Sequence, residues 1–406
     1  MKIGTPGFVG SKLREAREAR GLSGVTLAEL LGVSRQAVSQ FESGAKSPTQ
    51  DTLRRMTEVL NIPQTFFLQP PEEVNVVNVF FRSRAASTRA ARKKATWRLV
   101  WLKRTASFVS DYIELPLIDF PKFNFSSNPA MITDDDIEQA ATATRRFWGL
   151  KDGPISNVTL LLENSGAIIL REPFDEHNLD AHSAWIDAVP YITLSEDKHS
   201  AVRSRLDVAH ELGHLLVHRN LDEGRLEKHI DDHKLTERQA YWFASCFLMP
   251  RSSFARDFAV PTLDYMLTLK SKWKVSVAAI LMYSKLLGLI TPEKADHLFA
   301  LHGRRGWKRR EPLDDDIPAE QPRLLRLAFE LAIGEKVFAP EDVLAGLSLY
   351  DSDVENLAGL PPGTIGDKDP TIRILTLPVG RTNNKSRRGV ANPGEVVRFH
   401  QRDRTV

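Results

Sequence analysis

Residues 203–218, RSRLDVAHELGHLLVH, decide how the middle of this chain folds. The run is compatible with one helix throughout. Two residues four apart on a helix are separated by about 40° around the axis and about 6 Å along it. His210 and His214 therefore lie on one face, and both imidazoles can reach a common point.

The two histidines and Glu211 form the pattern H-E-x-x-H. Glu211 cannot be a third ligand from the same face, but its carboxylate can hold a water on a metal bound by the histidines. Zinc lowers the pKa of such a water to near neutrality, and a carboxylate can accept its proton during attack on a carbonyl. The pattern thus predicts zinc (Zn2+) bound by His210 and His214, with Glu211 as the catalytic base.

A third ligand must come from another part of the chain. His218 lies about 12 Å of rise beyond His210, so three histidines on a straight helix cannot close one tetrahedral site. The metzincin pattern requires glycine at position 217 and histidine at 220, where this chain has Val217 and Asn220. We therefore expect the third ligand on a later helix.

Glu237 is the candidate on that later helix, in residues 235–250, LTERQAYWFASCFLMP. It shares a stripe with apolar residues, so its carboxylate faces the buried side, where a metal would compensate the cost of an unpaired charge. Alternatively, Glu237 occupies the first helical turn behind a Thr236 cap, with Gln239 at the capping-box position, and complements the helix dipole.

The N-terminal region shows a succession of short helices. Residues 9–20 predict one amphipathic helix. Thr26 is predicted to cap a second helix that ends at Gly32, and Ser34 to cap a third. Two short helices joined by a tight turn that contains glycine are typical of a helix-turn-helix.

The third helix presents side chains that can pair with base edges or phosphates in a major groove, namely Arg35, Gln36, Ser39 and Gln40. They predict binding to a double-stranded DNA operator. A small helical bundle with a merely solvated polar helix is the alternative. Because such domains commonly read two half-sites, we expect a homodimer.

Charge is distributed unevenly along the 406 residues, although the formal total is only +3. Residues 1–104 carry 18 Lys/Arg and 8 Asp/Glu, and residues 378–406 carry 7 and 2. A polyanion would bind the basic front. Residues 82–104 hold nine Lys/Arg, no acid and two tryptophans four apart. They predict either a helix that follows phosphates or a linker helix that packs its tryptophans.

Composition favours a globular protein of a reducing compartment. A hydrophobic content of 42% argues against wholesale disorder. No stretch has the length of a signal-peptide core or of an uninterrupted membrane span, so no membrane partner is expected. The single cysteine, Cys246, excludes an intramolecular disulfide framework and is interpreted as a small buried residue. We expect a cytoplasmic protein.

Two families resemble parts of this chain. Residues 8–68, with LAELLGVSRQAVSQFESG at their centre, resemble the Cro/repressor-type (XRE) DNA-binding domain. AHELGH, together with the block at 237–250, is similar to the ImmA/IrrE-type metallo-endopeptidases, and this likeness spans most of residues 75–310. The resemblance implies His210, His214 and Glu237 as metal ligands and Glu211 as general base.

Three further residues are candidates for roles at the site. Tyr241 stands where the endopeptidases often have asparagine, and His182 where an apolar residue is usual. Either could approach the site and alter substrate preference. Asp207, one turn before His210, either orients that imidazole or is an exposed charge.

The expected architecture is multidomain. An all-α helix-turn-helix domain (1–70) is followed by a basic linker and connecting helix (71–130), then by an α+β zincin-like metallopeptidase domain (131–302). A mainly helical C-terminal segment (303–365) and a basic tail (366–406) complete it; the tail either adds phosphate contacts or is partly disordered.

Four segments carry more specific expectations. Residues 155–171 predict a helix ending near Gly166 and then a short strand, and residues 185–195 predict a β-rich stretch broken by Pro190. Residues 262–290 form either a second helix-turn-helix or packing support. Residues 303–322 are interpreted as a linker, because their charge changes sign and they contain prolines.

These features predict a DNA-binding transcriptional regulator with a zinc-dependent endopeptidase domain. Its protein substrate would be a repressor, a toxin, another partner or the chain itself, in a stress, toxin-antitoxin or prophage-linked switch. The alternative is a transcription factor or antitoxin whose peptidase-like domain is a non-catalytic sensor or interaction module.

Overall fold

The computed structural model describes residues 4–72, 76–81, 88–173, 181–196, 200–221 and 230–366. The chain divides into two compact units. The first comprises Met1–Glu72, Pro340–Glu355 and Pro361–Val406, and the second comprises Glu73–Ala339 and Asn356–Leu360. The basic tail from residue 367 onward lies outside the described residues.

The first unit begins with four helices: α1 (Gly10–Ala19), α2 (Gly24–Leu31), α3 (Arg35–Glu42) and α4 (Gln50–Leu60). The predicted Thr26 cap is wrong. The extended backbone of Ser23 places its hydroxyl where it accepts a hydrogen bond from the Thr26 amide at 3.0 Å, so α2 starts three residues earlier than predicted. The Ser34 cap is confirmed, and Gly32 ends α2 with a left-handed φ of 66°.

The second unit has mixed α and β structure around residues 160–220 and is helical after them, which confirms the predicted class. Its elements are β1 (Val76–Phe81), α5 (Arg89–Ser110), α6 (Asp134–Phe147), α7 (Val158–Asn164), β2 (Ile168–Glu172), β3 (Ala181–Ile186), β4 (Val189–Ser195), α8 (Ala201–Val217), α9 (Ile230–Leu248), α10 (Arg251–Asp257), α11 (Leu263–Trp273), α12 (Val277–Leu286), α13 (Pro292–Arg304) and α14 (Leu324–Gly334).

The four strands form one sheet in the order β1-β3-β4-β2. Only the β2–β4 pair is parallel. Asp187 and Ala188 join β3 to β4 with φ values of 47° and 66°, as two-residue hairpin turns require. The β-rich stretch is therefore interrupted at this turn and not at Pro190. Pro190 lies near the start of β4, where the loss of a hydrogen-bond donor is tolerated.

Helix α8 is the centre of the second unit, because it packs against β3 and β4 on one side and against α9 on the other. Helix α5 also packs against β3 and β4. In α5, Trp101 is fully buried, and the buried Arg98 donates to Glu172 at 2.6 and 2.9 Å. Part of the basic segment thus packs against the sheet; residues 82–87 lie outside the described residues.

Helices α11 and α12 contribute to the core, with Trp273 and Tyr283 almost fully buried. The segment at 303–322 is not a solvated linker. Its Glu311 and Asp314 are buried and bind the ammonium of Lys270 at 2.9 and 2.5 Å. Two acidic residues of the segment that was interpreted as a linker thus pair with a buried lysine.

Helices α15 (Pro340–Leu347) and α16 (Asp351–Ala358) follow, and residues 340–355 belong to the first unit. The Arg20 guanidinium donates to both carboxylate oxygens of Asp353 and to the backbone oxygens of Leu60 and Asn61. A residue after α1 is thereby tied to the far end of the sequence. In the described part of the chain, no helix is both long and apolar enough to cross a membrane.

Candidate metal centre and nucleic-acid interface

Three side chains converge between α8 and α9. Nε2 of His210 and Nε2 of His214 are 3.1 Å apart. The Glu237 carboxylate lies 3.3 Å from each of these nitrogens, through Oε2 and Oε1 respectively. Both histidines are buried, and Glu237 is partly exposed. Within the described residues, this is the group of histidine and carboxylate donors close enough to share one ion.

These separations fit zinc. Four ligands placed tetrahedrally at about 2.0–2.1 Å from the ion lie about 3.3 Å from one another. The three distances of 3.1, 3.3 and 3.3 Å match this edge length. Two imidazoles and one carboxylate are also the donor set of catalytic zinc sites that keep a fourth position open for water. The group is therefore consistent with a zinc site.

Gly213 allows the two ligand-bearing helices to approach. A Cβ at this position would lie 3.1 Å from the Ala240 oxygen and 3.2 Å from Cβ of Phe243, both on α9. These contacts are tighter than ordinary van der Waals separations, so any larger residue would push α9 away. A glycine between the two histidines is thus part of how α8 brings its imidazoles to Glu237.

Glu237 does not lie in a first helical turn, because α9 begins at Ile230. Thr236 is inside the helix, and its hydroxyl donates to the His233 carbonyl instead of capping. The alternative interpretation, in which Glu237 only complements a helix dipole, is therefore wrong. The cause is that α9 extends two turns further toward its N-terminus than its apolar stripe indicates.

Glu211 is fully buried on α8 beside the two histidines. Its Oε2 accepts a hydrogen bond of 2.6 Å from the hydroxyl of Ser183 on β3. Sequence reasoning missed Ser183, although it follows His182 directly. A small polar residue on a buried strand was the available signal.

His182 lies on the opposite face of the sheet from the site. Successive strand residues point to opposite faces. Ser183 and Trp185 bond to α8, through Glu211 and the Leu215 carbonyl, whereas His182 faces the backbone of Ala95 on α5. The expectation that His182 approaches the site is thus wrong. Complete burial lowers the pKa of its imidazole to about 3, so it is neutral.

The other two candidates remain on the helices of the site. Asp207 is buried on α8, so it is not an exposed charge. Tyr241 is half-buried on α9, one turn after Glu237. His233 lies one turn before Glu237, with its Nε2 3.9 Å from Oε1. Sequence reasoning missed His233 because the helix was expected to start later.

His218 caps the C-terminus of α8 and is not among the metal donors, as its position along the helix predicts. Its Nδ1 lies 2.9 Å from Nδ1 of His214, and its Nε2 lies 3.1 Å from Oε1 of Gln239. Burial lowers the pKa of His218 well below its ordinary value, so the imidazole is neutral.

On α3, the inward residues Val38 and Phe41 are buried. Arg35, Gln36 and Ser39 are exposed, and Gln40 is half-buried. The helix therefore offers the predicted polar side to solvent. Glu42 at its end accepts two hydrogen bonds from Arg17 of α1, which fixes α3 against the unit.

Known families match both units. A helix-turn-helix model (HTH_3) matches residues 13–66, and the model described as Peptidase_M78, IrrE N-terminal-like domain, matches residues 162–283. The chain carries both domains. The M78 match includes β3, α8 and α9 and therefore every residue of the candidate metal centre.

The individual relatives that match part of this chain include two named helix-turn-helix regulators. The HTH-type transcriptional regulator SutR of Escherichia coli is 38% identical over 65 residues, which are 16% of this chain and 36% of SutR. RamB of Mycobacterium tuberculosis, also named an HTH-type transcriptional regulator, is 38% identical over 60 residues, or 15% of this chain and 13% of RamB. The chain thus spans about a third of SutR and less of RamB.

A solved structure of a Mycobacterium tuberculosis transcriptional regulator gives a TM-score of 0.28 at 12% identity. The match covers 46% of this chain and 51% of the other. So weak a likeness supports no inference about fold or function.

Proposed function

We propose that this chain is a DNA-binding transcriptional regulator whose M78 domain is a zinc-dependent endopeptidase. The observation that carries the enzymatic half is the group of His210, His214 and Glu237, placed beside the buried carboxylate of Glu211. A helix-turn-helix domain implies DNA binding, and two relatives that match part of the chain are named transcriptional regulators.

In the proposed mechanism, His210, His214 and Glu237 hold the zinc ion. When bound, zinc supplies a Lewis acid for the hydrolysis of a peptide carbonyl. Glu211 accepts the proton of the attacking water and returns it to the leaving amine. Ser183 donates to one oxygen of Glu211 and so holds the carboxylate in one orientation.

In the DNA-binding half, Arg35, Gln36, Ser39 and Gln40 contact a double-stranded operator, and a homodimer reads two half-sites. The substrate of the peptidase half is a protein, either a partner such as a repressor or toxin or this chain itself. Asp207 and Tyr241 are retained as residues that adjust the site, since both lie on its helices.

The zinc half is tested with purified full-length protein. We expect stoichiometric zinc in the wild type and in Glu211→Gln, and its loss when His210→Ala and His214→Ala are combined. Mass spectrometry then follows incubation of zinc-loaded protein with itself and with proteins encoded beside it. Cleavage by the wild type but not by Glu211→Gln is the expected result.

Two outcomes would contradict the proposal. Stoichiometric zinc that survives the double histidine replacement would refute the ligand assignment. Failure of zinc-loaded wild type to cleave any of these proteins would favour the alternative, a regulator whose M78 domain senses or binds without turnover.

A further inference from the structure

A chain of hydrogen bonds extends behind one of the proposed metal ligands. Nδ1 of His214 faces Nδ1 of His218 at 2.9 Å, and Nε2 of His218 faces Oε1 of Gln239 at 3.1 Å. The amide nitrogen of Gln239 donates to the backbone oxygens of Pro129 and Ile132, at 2.9 and 3.0 Å. All three side chains are fully buried.

The backbone carbonyls bound by Gln239 determine which atom donates in every hydrogen bond of this series. A backbone carbonyl can only accept, so the amide nitrogen of Gln239 faces the two carbonyls and its oxygen faces His218. His218 must then carry its proton on Nε2, because an amide oxygen only accepts. A neutral imidazole has one N–H, so Nδ1 of His218 is an acceptor.

The acceptor at Nδ1 of His218 in turn determines the tautomer of His214. Since Nδ1 of His218 accepts, Nδ1 of His214 donates to it, and the lone pair of His214 is on Nε2. That atom lies 3.1 Å from Nε2 of His210 and 3.3 Å from Glu237. The chain of bonds therefore presents the lone pair at the point where the three donors converge.

We propose that His218 and Gln239 are positioning residues, which hold His214 in the tautomer and orientation that bind metal before the metal arrives. The inference rests on the zinc site of the proposed function. Neither residue is one of the metal donors, and both act through His214. Partners of this kind commonly change metal affinity by about 10–100-fold when they are replaced.

The hydrogen bonds made by His218 and Gln239 support a positioning role over a role in filling space alone. A buried polar group costs free energy unless it is hydrogen-bonded, so an apolar residue would fill the same space more favourably. Yet both nitrogens of His218 are engaged, and Gln239 uses its oxygen and its nitrogen. Gln239 also joins this series of hydrogen bonds to backbone carbonyls just before α6, and these carbonyls hold the Gln239 amide in place.

The first experiment reads the tautomer in zinc-free, full-length protein. Long-range 15N–1H spectra of the histidine rings distinguish a protonated from an unprotonated ring nitrogen. We expect His214 to show an unprotonated Nε2 in the wild type and a mixture of tautomers in His218→Phe. An Nδ1 lone pair on His214 in the wild type would overturn the inference, whatever the protein does with zinc.

The second experiment measures zinc dissociation constants by competition with a chromophoric chelator. We expect His218→Phe and Gln239→Leu to bind about 10–100-fold more weakly. His218→Asn should recover most of the affinity, because its amide oxygen replaces the Nδ1 acceptor. The matched control is His297→Phe, the same substitution at an exposed histidine of α13.

The two levels of the proposal fail in different ways. If the wild type binds no zinc, the proposed function fails, while the tautomer result still stands. If the wild type binds zinc and His218→Phe binds it equally well, the positioning role fails and the metal site remains.

Discussion

The hydroxyl of Ser183 lies 2.6 Å from Oε2 of Glu211, and both side chains are buried. Ser183 is on the central strand β3 and Glu211 is on α8, so the bond joins the sheet to the helix that carries the proposed base. When one oxygen of a carboxylate is held by a hydrogen bond, the position of the other oxygen is restricted as well. The sheet thus sets the orientation of Glu211 as well as supporting the core.

Replacement of this serine should separate catalysis from metal binding. Hydrogen bonds to charged groups are worth about 1.5–3 kcal/mol, so we expect Ser183→Ala to lower the cleavage rate about 10–100-fold and to retain zinc. Thr193→Val is the control, since Thr193 pairs with His182 on the opposite face of the sheet. Equal loss in both variants would contradict a specific role for Ser183.

The buried Lys270 should contribute strongly to the stability of the second unit. Lys270→Met leaves Glu311 and Asp314 as buried carboxylates without their cation, and breaking a buried ion pair costs about 3–5 kcal/mol. Lys272→Met is the matched control, because Lys272 is half-exposed and pairs with Asp257 at the surface. Chemical denaturation followed by circular dichroism should show a large shift for the first variant only.

Helix α3, which we propose contacts the operator, should discriminate between DNA sequences. We expect Gln36→Ala and Gln40→Ala each to weaken binding to the operator by about 1–3 kcal/mol, because each removes a side chain that pairs with a base. Binding to random DNA should change little, as fluorescence anisotropy can measure. Gln64→Ala serves as a control, being an exposed glutamine of the same unit outside α3. Equal weakening on operator and random DNA would argue against base reading.

The thiol of Cys246 should react only when the protein unfolds. Burial raises the pKa of this thiol to about 12, so about one in ten thousand is ionised at pH 8. Because Cys246 is the single cysteine, its labelling by a thiol reagent reports one position. We expect slow modification in native buffer and complete modification in denaturant. Rapid native labelling would show that α9 opens without global unfolding.

Local patterns predicted much of the site. Residues four apart on one helix place His210 and His214 together, and the apolar stripe of the later segment places Glu237 on the buried side. Each of these two predictions depends only on the geometry of a single helix. The cap of α2 was predicted at Thr26 and lies at Ser23, because both hydroxyls are able to cap and only the backbone conformation decides between them.

Contacts between distant elements could not be predicted in this way. Whether His182 or Ser183 faces α8 depends on which side of the sheet that helix packs against. The bond between His218 and Gln239 joins residues from two helices and requires their packing. The ion pair of Arg20 with Asp353 joins positions more than three hundred residues apart, and no local pattern indicates such a partner.

That ion pair has a consequence for the order in which the protein is made. Residues 340–355 belong to the same compact unit as α3, but residues 73–339 separate them in the chain. A ribosome therefore has to complete the M78 domain before Asp353 can meet Arg20. Translation products that end before residue 353 carry α3 but lack the Arg20–Asp353 ion pair, so this contact forms only in chains that also contain the M78 domain.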